Sequence, residues 1–175
     1  MPCLLRHVMM AKINSRSKGA RAERKLAKLF AVWWGADFAR TPLSGGFSTK
    51  QFREDWNAAG DLVTPDPSFP FCVESKHVEG WHIEQLLTAP RSDIYRWWFQ
   101  TTQETPEGHL PLLVFTRNRQ PYFFIMKRDH LVSSFTGLTI DVILNNEDSC
   151  VIGLLSDLFL TERSAWTKHS DANNV

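Results

Sequence analysis

Residues 60–77 read GDLVTPDPSFPFCVESKH, and this stretch decides how the chain is read. Asp61–Thr64 and Pro70–His77 have strand composition, and Pro65, Asp66 and Pro67 between them are turn residues, so a hairpin is expected. Side chains alternate along a strand, which puts Glu74 and Lys76 on one face and Val73 and Ser75 on the other. Pairing across the hairpin would bring Asp61 beside them. Two carboxylates at the end of a sheet make a hard-oxygen site for Mg²⁺, which takes one or two carboxylates together with waters and phosphate oxygens, and Mn²⁺ would substitute. A lysine beside that ion can position or deprotonate an attacking water, or stabilise charge on a phosphate. Asp61, Glu74 and Lys76 together point to metal-dependent phosphodiester hydrolysis.

Upstream, Ala22, Leu26, Leu29, Phe30 and Trp33 follow helical spacing from Ala20 to Trp34, which Gly35 closes. At 100° per residue they share an arc of about 100°, with Arg21, Arg24, Lys25 and Lys28 on the far side. Glu23 falls at the rim of the apolar stripe, from which it could reach the same site as an outer ligand or water holder. Arg40–Ser48 reads as a short strand and a Gly-rich loop. Arg40 and Ser44 flank that loop, and Gly45 and Gly46 would let its backbone approach a phosphate closely.

The 175 residues carry a formal charge of only +1, yet residues 1–28 hold eight basic side chains and one acid. A basic segment on a mildly acidic body fits a polyanion partner met at one end. Residues 1–19 are expected to form a basic arm, with Lys12, Arg16 and Lys18 on it and Arg21, Arg24 and Lys25 on the helix contacting DNA phosphates.

Downstream, helices are expected over His82–Leu87 and Ser92–Gln103, followed by near-continuous apolar strands at Leu110–Thr116 and Pro121–Met126 that suit the middle of a sheet covered on both faces. TIDVIL and CVIGLLSDLFL are further short segments, and 163–175 reads as a polar, frayed tail. Trp97, Trp98 and Phe99 are three consecutive aromatics that one helix face cannot bury together. These elements make a single α/β domain, 20–162, with a mixed sheet flanked by helices.

Hydrophobic residues at 43% and charged residues at 22% exclude a disordered chain, a collagen-like chain and a coiled coil. Cys3, Cys72 and Cys150 form no pair of close spacing, which fits a reducing compartment. With no signal peptide and no membrane span, a cytoplasmic protein is expected. The histidines show no zinc spacing, and the absence of a Walker loop or dinucleotide fingerprint argues against a nucleotide cofactor.

The order of elements, and the segments KGARAERKLAKLF, RTPLSGG, GDLV and VESK, resemble the PD-(D/E)XK nuclease superfamily, most closely the archaeal-type Holliday junction resolvases. The resemblance runs from about Ser17 to Lys76, with weaker support to Met126. It implies a restriction-endonuclease-like core acting on branched DNA, with Glu23, Asp61, Glu74 and Lys76 in the active site. It further implies Ser44 as a phosphate or water contact, the Ser75 carbonyl in the metal shell, and a homodimer that places two symmetric nicks. Gln100 or Gln103 resembles the glutamine that many members hold near the catalytic lysine. Two departures stand out. Gly60 precedes the aspartate where the family usually has proline, and the literal Pro65-Asp66 pair lies inside the turn. Asp61 is therefore preferred to Asp66. The same residues also suit a duplex- or flap-cutting restriction or phage DNA-processing nuclease, or a DNA-binding accessory that keeps the fold without cutting.

Overall fold

The amphipathic first helix organises one face of the molecule. In the computed structural model, which describes residues 15–41, 60–88, 92–144 and 148–172, α1 spans Ser15–Trp34. It starts five residues earlier than the apolar stripe indicates, so Arg16 and Lys18 belong to the helix and not to an arm. Gly19 is the one weak helix former ahead of good ones, and its cost is small enough for the helix to run through it. Ala22, Leu26, Ala27, Phe30 and Trp34 are buried, while Trp33 is half-buried and donates its indole N–H to the Thr161 carbonyl at 2.9 Å. Gly35 ends the helix in the left-handed region, φ 76°, as a C-terminal glycine does.

The central sheet has five strands in the order β3-β4-β5-β7-β6: β3 Phe71–His77, β4 Leu110–Thr116, β5 Phe123–Lys127, β6 Thr139–Leu144 and β7 Asp148–Leu154. The β3–β4 pair is parallel and the others antiparallel, giving a mixed sheet. Every residue of β4 is buried, as its unbroken apolar run predicts. On one face Phe71, Val73, Leu112, Val114, Phe124 and Val151 pack against α1, α4 (Leu155–Leu158) and Trp166 of α5 (Arg163–Ala172). On the other, Leu113, Phe115, Ile125 and Ile152 meet Trp81 and the Ile94 and Trp98 side chains of α3 (Asp93–Glu104). A short α2, Gln85–Thr88, precedes α3. The result is a single α/β domain with helices on both faces of a mixed sheet.

Two expectations fail here. Residues 163–172 are not a frayed tail: Trp166 is fully buried against Phe71, with ring centroids 5.1 Å apart, and Arg163 Nη1 donates to the Trp34 carbonyl at 2.6 Å. One large apolar side chain and one cation on an orphan helix carbonyl outweigh the polar composition. Nor do Asp61–Thr64 and Pro70–His77 form a hairpin. The strand β2, Leu62–Val63, pairs antiparallel with β1, Ala39–Arg40. The segment leading into it meets β3 at an isolated parallel bridge, Gly60 to Val73. The connection buries Phe69 in the core and ties Asp66 to Trp34, so it cannot reverse tightly; it is also too short for the crossover that a parallel ladder needs.

Candidate active site

Because β3 is an edge strand, its outer side is open to the segment that crosses it at Gly60. That crossing is close: a Cβ on Gly60 would lie 2.4 Å from the Val73 carbonyl oxygen, and the residue sits at φ 79°. Proline can adopt neither that φ nor that approach, which explains the departure from the resolvase pattern. The Asp61 N–H donates to the Val73 carbonyl at 2.7 Å, and Thr41 anchors the same segment through its N–H to the Asp61 carbonyl (2.9 Å) and its hydroxyl to the Gly60 carbonyl (2.6 Å). The Asp61 side chain is thereby delivered to β3, where its Oδ2 accepts the Ser75 N–H at 2.8 Å.

Strand alternation turns Glu74 and Lys76 toward the α3 face. Glu74 is buried, and Lys76 Nζ donates to its Oε1 at 2.6 Å. The same ammonium donates to Gln100 Oε1 at 3.1 Å, and the Gln100 amide in turn donates to the Glu104 carboxylate at 3.1 Å. Gln100 is thus the glutamine beside the lysine, while Gln103 is exposed one step around the helix. Glu104 was missed from sequence. Its signal was its place four residues after Gln100 on one helix face. Thr41 left no sequence signal, because its contacts are long-range.

The electrostatics mark Asp61 out. Its carboxyl is pushed up from 3.8 to about 6, first by burial and then by the charge of Glu74, with Glu23 adding to the rise; the Ser75 N–H and Lys76 oppose it. Among the described residues, three carboxylates therefore influence one spot where Lys76 is the cation that opposes them. Glu23 itself is held by Arg40, whose Nε donates to Glu23 Oε2 at 2.7 Å, so this cation is already paired with an acid. Arg21, Arg24 and Lys25 are exposed on α1. Lys12, Ser44 and Gly45 lie outside the described residues, as do the side chains of Arg16 and Lys18.

Asp66 is employed elsewhere. Its Oδ2 accepts the Trp34 indole N–H at 3.0 Å and its Oδ1 the Ser68 N–H at 2.9 Å. Burial raises its pKa, but the Ser68 and Trp34 hydrogen bonds and the Arg163 charge outweigh this and hold it below the ordinary value. Cys72 is a buried core residue whose thiol burial pushes up, away from reactivity. Among the described residues no group of three or more His, Cys, Asp or Glu side chains is arranged to hold a metal ion. Two carboxylates with a backbone carbonyl remain within what Mg²⁺ accepts. No described helix is long and apolar enough to cross a membrane.

The chain resembles "Protein D14" of Escherichia phage T5, with 27% identity over 170 residues that cover 93% of this chain and 98% of the relative. No solved structure matches it. The family model described as "Phage putative PDDEXK endonuclease" matches residues 14–163, from the start of α1 through β7 and α4 to the first residue of α5. With its carboxylates and lysine at the edge of a mixed sheet and this match over most of its length, the chain belongs to the phage PD-(D/E)XK endonuclease family.

Proposed function

We propose that the protein is a divalent-metal-dependent DNA endonuclease that acts on branched DNA in the manner of a Holliday junction resolvase. The observation that carries this reading is the convergence of Asp61, Glu74 and Lys76 at the open edge of β3, with Asp61 pushed up to about 6 by burial and by its acidic neighbours. That surplus of negative charge is what a cation would relieve, and the oxygen donors suit Mg²⁺ or Mn²⁺. Asp61, Glu74 and the Ser75 carbonyl would hold it. Bound there, the ion would lower the pKa of a water and neutralise charge on the phosphate.

The chain's own groups do the rest. Lys76, steadied by Glu74 and Gln100, keeps one of its three N–H donors for the attacking water or a phosphate oxygen. Glu23, held by Arg40, supports the site from outside. Arg21, Arg24 and Lys25, with Lys12, Arg16 and Lys18 before them, would follow the DNA backbone, and Ser44 and Gly45 would contact a phosphate from the loop. Two symmetric nicks across a junction call for a homodimer.

A second reading has its own support: the family is described as a phage endonuclease and the relative comes from a bacteriophage, which fits a flap- or duplex-cutting DNA-processing enzyme with the same chemistry. A panel of labelled four-way junction, flap, nicked duplex, linear duplex and single strand, with Mg²⁺ or Mn²⁺ against EDTA, separates the two. Paired nicks on the junction alone, lost in Glu74→Ala, are expected. Equal cutting of linear duplex would establish the second reading. Tight binding without metal-dependent cutting of any substrate would overturn both.

A further inference from the structure

Behind the catalytic strand lies a second cluster of charge. A cleft of about 260 Å³ opens between α1 and the turn joining β4 to β5, lined by Arg21 and Lys25 from the helix, His77 at the end of β3, Arg117 and Arg119 from the turn, and Tyr122. Among the described residues no acidic side chain lines it. Its cations are partly ordered in advance. The Arg117 guanidinium lies 5.0 Å from the Trp81 ring centroid and donates to the Trp81 carbonyl at 2.8 Å, and Lys25 Nζ sits 5.7 Å from the centre of the Tyr122 ring. Ordering charges before the ligand arrives lowers the entropy lost on binding.

His77 supplies the independent observation. Both of its ring nitrogens are shielded from solvent, and neither has a hydrogen-bond partner among the described residues. Buried polar atoms of native proteins are nearly always paired, and an imidazole needs both a donor's and an acceptor's partner or, when charged, two acceptors. As the ring stands both nitrogens are covered, and an anion with several acceptor oxygens in a cleft that already holds four cations would satisfy one of them once the ring turns it toward the cleft. His77 directly follows Lys76, with consecutive Cα atoms about 3.8 Å apart, and points to the opposite face of β3. An anion held there lies on the α1 face of β3, across the strand from the Lys76 side chain.

We infer that this cleft binds a backbone phosphate of the DNA strand adjoining the scissile one and so sets the register of the strand at Lys76. Contacts of this kind position the duplex without reading its sequence. The inference rests on the reading of DNA as the substrate. It does not depend on cutting, so its test is done on binding in EDTA.

The full-length protein is titrated against a fluorescent four-way junction and a linear duplex over a range of salt, as wild type, Arg21→Ala/Arg119→Ala, His77→Leu and, as a control on exposed charge, Arg96→Ala. The double variant should weaken binding about tenfold or more and reduce the log–log salt slope by about 1 to 2, with Arg96→Ala unchanged. His77→Leu should lose affinity about fivefold while its Tm holds or rises. A salt slope unaltered in the double variant would overturn the inference, as would a His77→Leu protein with full affinity and a lowered Tm, since His77 would then be packing alone. Inorganic phosphate serves as competitor. If millimolar phosphate displaces the DNA from wild type and not from the double variant, the DNA occupies the cleft as inferred; phosphate that raises the wild-type Tm but not that of the double variant, and leaves DNA binding untouched, would make the cleft a free-anion site and the assignment to DNA backbone wrong. Wild type that binds through the cleft yet cuts nothing would leave this inference standing and remove the nuclease reading.

Discussion

Asp61 and Asp66 lie five residues apart and have opposite fates. Asp66 closes its turn through Ser68, takes the indole N–H of Trp34 and lies in the field of Arg163, and its pKa falls. Asp61 receives one backbone N–H, is buried beside Glu74 within the field of Glu23, and its pKa rises to about 6. The fold satisfies the first carboxylate and leaves the second short of positive charge. A group kept in that condition costs stability, and such groups gather at functional sites.

Each way of breaking the comparison has an expected size. Asp61→Asn removes a proposed metal donor, and cleavage should fall about 10³-fold or more, or roughly 4 kcal/mol of barrier, while DNA binding in EDTA persists. Gly60→Ala places a methyl group against the Val73 carbonyl at a left-handed φ; unfolding in urea should show a loss of about 3 kcal/mol or more, with the active site displaced. Asp66→Ala leaves the Trp34 N–H without its acceptor and should lower stability by about 1–2 kcal/mol while the cleavage rate per folded molecule is retained.

The pH dependence separates the two aspartates by sign. Asp61 binds its proton more tightly folded than unfolded, so its favourable contribution to the metal-free protein is present below about pH 4 and is lost as pH rises through about 6. The shift corresponds to at most about 3 kcal/mol, and to about 1–2 kcal/mol once solvent at the open edge screens it. Thermal melts in EDTA should therefore show wild type losing stability relative to Asp61→Asn between pH 4 and 6, and Mg²⁺ should abolish the difference. Asp66 acts in reverse: its contribution is present above the ordinary carboxylate range and fades as acid protonates it, so Asp66→Asn should lose least at low pH. The smallest effect belongs to Gln100→Ala, which frees Lys76 from one of its two partners; kcat should drop by about tenfold or less, with KM little changed.

Much of this site was legible because its signals are local. Glu74 and Lys76 declare their shared face by spacing, Glu23 by its place on the rim of an amphipathic helix, and β4 by an unbroken apolar run. What was not legible depends on contacts distant in sequence. That β2 would choose β1 over β3 rests on Phe69 and Asp66 anchoring the intervening turn in the core, and no pattern within the turn discloses those partners. The last helix was hidden for a similar reason, since a single buried Trp166 does the work in an otherwise polar segment. Gly60 shows the opposite case. As a missing proline it counted against the assignment of Asp61, and in three dimensions it is the residue that lets Asp61 reach β3.

The most direct test of the account is junction cleavage in Mg²⁺ by wild type, Asp61→Asn and Asp66→Asn side by side, each first shown to be folded by its thermal melt. The account predicts that Asp61→Asn loses cutting while Asp66→Asn cuts at close to the wild-type rate. Cutting retained in Asp61→Asn would contradict it, and cutting lost in a folded Asp66→Asn would place the catalytic carboxylate at the literal Pro-Asp pair.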